Sequence, residues 1–145
     1  MNRTVLIIDD EMIRMGSYID RIKRSGTWNV EKARRLSEAS HILKSKTIDV
    51  VILDINMPFD EQLTEKDWNL IKKITNHTGV ALYNYLLREE LLINIPVLVY
   101  TSVDINDIKP YFIDGSNLSI VHRMYMTPMQ LLNRINNIIE EHIKK

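Results

Sequence analysis

The chain has 145 residues, 45% of them hydrophobic, which is enough for one domain with its own core and too apolar for a disordered segment. Lys plus Arg balance Asp plus Glu at 19 each, so no global field draws the protein to nucleic acid or to an anionic membrane, and neither is expected as a partner. There is no cysteine, which excludes disulfides and thiolate metal sites and is compatible with the reducing cytoplasm.

Residues 4–9, TVLIID, form a short apolar run rich in β-branched residues and predict a strand. The run is too short for a signal-peptide core or a membrane span. Met12, Met15, Ile19 and Ile22 recur at spacings of three and four and predict an amphipathic helix over 11–24. A weaker strand is expected at 28–33, then a helix marked by Leu36, Ala39, Ile42 and Leu43, with Ser37 near its start. Residues 49–54 read as a strand buried on both faces that stops on a carboxylate, Asp54.

A helix over 80–92 follows Gly79, and IPVLVYT at 95–101 predicts another buried strand. A short helix at 104–114 must start at Pro110 or be disturbed by it. LSIVHR at 118–123 predicts the last strand. Thr127 is placed to cap a final helix with Pro128 at its first position and Leu131, Leu132, Ile135, Ile138 and Ile139 as its inner stripe. This β–α alternation predicts a parallel sheet with helices on both faces. Residues 59–78 break the alternation, and Trp68, Ile71 and Ile74 (or Thr75) predict a short extra helix there, with Trp68 as its local anchor.

The acids fall at strand ends: Asp9 and Asp10, followed by Glu11, after the first strand, and Asp54 after the third. In doubly wound sheets ligands gather at the carboxyl ends of strands where the order reverses, which for the order 2-1-3-4-5 lies between the first and third strands. Three carboxylates would then share one pocket, where they raise each other's pKa unless a cation joins them. An oxygen-only set without His or Cys suits a hard ion, and Mg²⁺ is the expected one. Taken singly, an acid pair after a strand is often only a helix N-terminus, and a lone Asp only a turn residue. It is the ordered recurrence on successive strand ends that argues for a site.

Four blocks resemble the receiver domain of bacterial two-component response regulators: VLIIDDE at 5–11, EASHILKSKTIDVVILDINMP at 38–58, GVALYNYLLRE at 79–89 and IPVLVYTS at 95–102. The resemblance implies a flavodoxin-like (βα)5 sandwich over 1–145 as a single domain, with 59–78 an insertion in it. It implies that Asp54 accepts a phosphoryl group, and that Asp9, Asp10, Asp54 and the backbone carbonyl of Asn56 hold Mg²⁺. Thr101 would bond a phosphoryl oxygen through its hydroxyl. These roles suit the residue types: a carboxylate can be a nucleophile, and a metal offsets charge on the transferred group.

The resemblance departs at IVHRMYMTP, residues 120–128. The family carries Lys there, normally followed by Pro. Counting back from Thr127-Pro128 puts Met124 at the Lys position, and counting forward from Gly115 suggests His122 or Arg123. Arg123, the only permanent cation of the three, is the tentative replacement, although its planar fork differs from a compact ammonium. The aromatic that often marks this strand is missing, with Ile120 and Val121 in its region. A trans bond is expected before Tyr125, and the Arg123 side chain is expected to point away from the pocket.

His77 and His122 lack ligand spacing. Met12, Met15, Met124, Met126 and Met129 read as packing residues, partly exposed near the fifth strand, and Lys32, Arg34 and Arg35 as a solvated run. Two functions follow from the resemblance. One is a cytoplasmic phosphoacceptor switch, not a conventional enzyme, served by a histidine kinase or phosphotransfer protein and signalling to a downstream protein as a monomer or weak homodimer. The other is a pseudo-receiver, a binding module that works without phosphate. The acids favour the first and the absent Lys-Pro favours the second.

Overall fold

A computed structural model describes residues 2–58, 60–73 and 77–144. The five predicted strands form β1 (Arg3–Ile8), β2 (Trp28–Ala33), β3 (Val50–Leu53), β4 (Val97–Thr101) and β5 (Leu118–His122), all parallel in the order β2-β1-β3-β4-β5. The helices are α1 (Gly16–Arg24), α2 (Leu36–Ser45), α3 (Glu65–Lys73), α4 (Thr78–Arg88), α5 (Ile105–Ile108) and α6 (Pro128–Ile143). This is the parallel sheet with helices on both faces expected from the alternation, and the doubly wound, flavodoxin-like sandwich that the resemblance implied.

Strand periodicity sorts the core into two layers. Val5, Ile7, Val50, Ile52, Leu98 and Tyr100 face α1 and α6, where Met15, Ile19, Ile22, Leu131 and Ile135 cover them. Leu6, Ile8, Val51, Leu53, Val97 and Val99 face the other side, with residues of α2, α3 and α4. Because both faces are covered, β3 is apolar at every position, as are residues 5–8 of β1 and 97–99 of β4. α6 starts as its sequence implies: the Thr127 hydroxyl accepts from Gln130 N at 3.2 Å, and Gln130 Oε1 accepts from Thr127 N at 2.8 Å.

Several boundaries move for local reasons. α1 begins at Gly16, because residues 11–15 are first wound in tight turns, with Arg14 N donating to Glu11 O and Met15 N to Met12 O. α4 stops at Arg88, where Glu90 and then Asn94 adopt positive φ and turn the chain. The helix expected over 104–114 shrinks to the single turn of α5 and a 3-10 turn at Lys109–Tyr111, since Pro110 brings no N–H to continue an α-helix. No cis peptide occurs among the described residues, in line with the trans bond expected before Tyr125.

In the 59–78 stretch, α3 forms as expected, and its seating rests on more than Trp68, which is half-buried. Leu63 and Ile71 enter the core. Asp67, 1% exposed, accepts from Thr64 N and Oγ1 at the start of the helix and takes Arg88 Nη2 on both oxygens at 2.8 Å, tying α3 to α4. Ahead of the helix, Asp60 Oδ2 accepts from Leu36 N at the N-terminus of α2. The expected contributions of Ile74 and Thr75 fall outside the described residues.

Candidate functional site

Strand register brings the acids together. Ile8 pairs with Leu53, so the next residue of each strand, Asp9 and Asp54, leaves the sheet at the same edge. Asp54 N donates to Ile8 O at 3.0 Å and Asp9 N to Ala33 O at 3.0 Å, which continues the ladder by one residue. Asp9 is 2% exposed and Asp54 1%. One carboxylate oxygen each from Asp9, Asp10 and Asp54 lies within 4.8 Å of the others.

This crowding has an electrostatic cost. Burial, opposed by a hydrogen bond from Glu11 N and reinforced by the Asp54 charge, pushes Asp9 up from 3.8 to about 6. Asp10 is raised as well, by burial first and by the charges of Asp54 and Glu11. Asp10 Oδ1 is buried without a hydrogen-bond partner. An orphaned carboxylate oxygen beside two more carboxylates fits a hard divalent cation, which would use the free lone pairs and offset the repulsion.

Cations already lean into the pocket. Arg123, the first residue of a 3-10 turn after β5, points inward, and its Nη2 lies 3.5 Å from Asp54 Oδ1 and 3.6 Å from Asp9 Oδ2. This overturns the outward expectation. Strand alternation does not govern Arg123, because β5 ends at His122 and the turn re-aims the next side chain. The guanidinium sits over the Tyr100 ring, 5.0 Å from its centroid, a cation–π contact the apolar β4 run conceals in sequence. His122 holds the turn: its Nδ1 accepts from Met124 N, and its Nε2 is 3.1 Å from Ser102 O.

Arg14 is the residue that sequence reasoning missed. Its Nη2 donates to Asp54 Oδ2 at 3.2 Å and lies 3.7 Å from Asp9 Oδ1, while Nη1 is 3.2 Å from Glu11 Oε2. The available signal was an Arg one turn after three consecutive acids. Thr101, fully buried at the end of β4, lies on the strand next to β3, and its hydroxyl accepts from Val103 N at 3.1 Å. Asn56 is exposed, with its N 3.4 Å from Asp54 Oδ1. Met12 and Met15 pack in the core, whereas Met124 and Met129 are exposed. Lys32, Arg34 and Arg35 are exposed as expected.

Gly79 also belongs to the site. A Cβ there would lie 2.5 Å from Ile55 Cα and 2.6 Å from Asp54 O, so only glycine lets α4 approach the backbone beside Asp54. A cleft of about 700 Å³ opens next to Asp10, walled by Arg34, Arg35, Pro58, Asp60 and Glu61.

Comparison with known proteins agrees with this geometry. Residues 5–64 match the family model of the response regulator receiver domain. No curated protein matches the chain. Among solved structures, it is similar to a CheY-like response regulator receiver domain protein of Methanospirillum hungatei JF-1, at 17% identity and TM-score 0.74 over 99% of this chain and 98% of that one. It is also similar to a response regulator of Thermotoga maritima (18% identity, TM-score 0.69, covering 97% and 99%). A putative response regulator of Chloroflexus aurantiacus J-10-fl is similar at 21% identity and TM-score 0.69, again covering 97% and 99%. At these identities the structures speak for the fold, while the match to the response regulator receiver domain model, over residues 5–64, spans the segment that holds all three acids.

Proposed function

We propose that Asp54 accepts a phosphoryl group from the phosphohistidine of a kinase or phosphotransfer protein and that the modified domain signals through protein contacts in the cytoplasm. The observation that carries this reading is the seating of Asp54 at the sheet's carboxyl edge, grouped with Asp9 and Asp10 and met by the Arg123 guanidinium. One Asp54 oxygen attacks phosphorus, the P–N bond of the donor breaks, and its electron pair leaves with the imidazole. The product is an acyl phosphate. Asp9, Asp10, Asp54 and the Asn56 carbonyl would hold Mg²⁺, which supplies charge neutralisation for the transferred group. Thr101, whose hydroxyl accepts from Val103 N, would donate its O–H to a phosphoryl oxygen, and Arg123 would take the role of the family's Lys. Asp60, Glu61 and Gln62 wall the cleft beside Asp10, and the 59–78 insertion to which they belong, within a single domain, is suited to tuning donor access or partner choice.

A second reading, a module that binds partners without phosphate, draws support from the resting ion pairs: Arg14 and Arg123 both meet Asp54 before any phosphoryl group arrives. Acid-quenched protein treated with acetyl phosphate and Mg²⁺ separates the two. Wild type should gain one phosphoryl group and Asp54→Asn none. Wild type that gains none, under conditions where Mg²⁺ binds, would leave the phosphate-free module as the better account.

A further inference from the structure

We propose that Arg14 is a second phosphoryl-binding residue, working with Arg123 as a two-guanidinium clamp on Asp54 where the stretch after β5, residues 123–128, carries no lysine. This rests on the reading of Asp54 as the acceptor.

The two arginines meet opposite oxygens of one carboxylate, Arg14 on Oδ2 and Arg123 on Oδ1. They are held very differently. The Arg123 side chain is 15% exposed and rests over the Tyr100 ring, and its Nε and Nη2 are buried without a hydrogen-bond partner. At 3.5 Å its approach to Asp54 is an ion pair short of a hydrogen bond, so buried donors stay unspent beside the atom that would carry phosphorus. Three phosphoryl oxygens would supply the missing acceptors.

Arg14 reaches in from the turn before α1, is 39% exposed, and shares its guanidinium among Asp54, Asp9 and Glu11. A side chain so exposed can follow its target outward by a change of rotamer. When an Asp54 oxygen attacks phosphorus and the donor bond breaks, negative charge moves from the carboxylate to the phosphoryl oxygens. Arg14 stays protonated throughout and exchanges a carboxylate oxygen for a phosphoryl oxygen. Arg123 then binds from a buried position and Arg14 from an exposed one. The same contacts set Arg14 against a divalent cation in the resting protein, since both seek the carboxylates of Asp54 and Asp9.

The test compares wild type, Arg14→Ala, Arg14→Lys and Asp54→Asn in three measurements: the rate of labelling by acetyl phosphate with Mg²⁺, beryllofluoride affinity, and Mg²⁺ affinity without donor. Arg14→Ala should lose about tenfold or more in labelling rate and beryllofluoride affinity, as expected for removal of a charge-assisted hydrogen bond. Its Mg²⁺ affinity should be equal to that of wild type or higher, because a competitor has gone. Arg14→Lys should recover part of the loss. Labelling and beryllofluoride affinity unchanged in Arg14→Ala would overturn the clamp while leaving Asp54 as acceptor. A fall in Mg²⁺ affinity parallel to the loss of labelling would also overturn it, by showing a merely structural role. Wild type that takes neither label nor beryllofluoride would remove the underlying reading as well. If Arg14→Ala does not fold, Arg14→Gln and Arg14→Lys carry the same comparison.

Discussion

β3 and β5 are each followed directly by a charged residue of the site, and they are built in opposite ways. β3 has a strand on either side, and Val50–Leu53 are at most 1% exposed. β5 is an edge with one neighbour, half-buried at all five positions. Asp54 is therefore carried by the stiffest part of the sheet. Arg123 is carried by an edge whose end is held by a 3-10 turn, His122 and the Tyr100 ring. Local stability follows buried apolar contact, so a change of charge at Asp54 is absorbed most cheaply on the β5 side. The acids are a fixed template and the cations are its adjustable part.

Matched truncations on the two strands test that contrast first. Ile52→Ala should cost about 2–5 kcal/mol in urea unfolding, the range for a fully buried aliphatic side chain. Ile120→Ala removes a half-buried side chain and should cost about 1–2 kcal/mol. Equal costs would show that β5 is as firmly held as β3, and the contrast would fail.

Two glycines sharpen it at the backbone. Gly79→Ala should destabilise by about 1–3 kcal/mol, because the new Cβ meets the backbone of Asp54 and Ile55, which cannot move without disturbing the site. At Gly115, just before β5, the nearest atom to a Cβ is 4.0 Å away, so Gly115→Ala should stay within about 0.5 kcal/mol. Thermal unfolding of both variants gives the comparison directly.

The smallest effect is a pH dependence rooted in the acids. Asp9 titrates at about 6 in the folded protein against an ordinary 3.8, chiefly through burial. The folded state thus holds this proton more tightly than the unfolded one. The stability it contributes is complete below the ordinary value and is lost as pH rises through 6. From pH 5 to pH 7 the metal-free protein should lose on the order of 1 kcal/mol from this group. Asp9→Asn should flatten that slope, and Mg²⁺ should stabilise wild type more at pH 7 than at pH 5 because protons compete for the same oxygens. An unchanged slope in Asp9→Asn would place the titration elsewhere.

Most of the sheet and the acid half of the site were legible in the sequence. Runs such as VLII and VVIL are apolar at consecutive positions because both faces are covered, and each is followed directly by its carboxylate. Asp has a short side chain, so the strand end fixes where its oxygens go, and parallel register brings two strand ends level. Thr127 with Pro128 announced α6 through chemistry confined to one turn. The α5 region read less well, since a helical pattern over 104–114 competes with Pro110, and only the packing of Tyr83, Asn84 and Phe112 decides its path.

What the sequence by itself determined is the order of elements along the chain and the acids that close the strands, all set by spacing along the chain. What only the tertiary structure decided is where the long side chains went: Arg123 inward over Tyr100, Arg14 across to Asp54, Arg88 onto the buried Asp67. The physical reason is reach. An arginine has several rotatable bonds and can point to either side of its element, so its partner is chosen by charges and rings that meet it only after the strands and helices have packed.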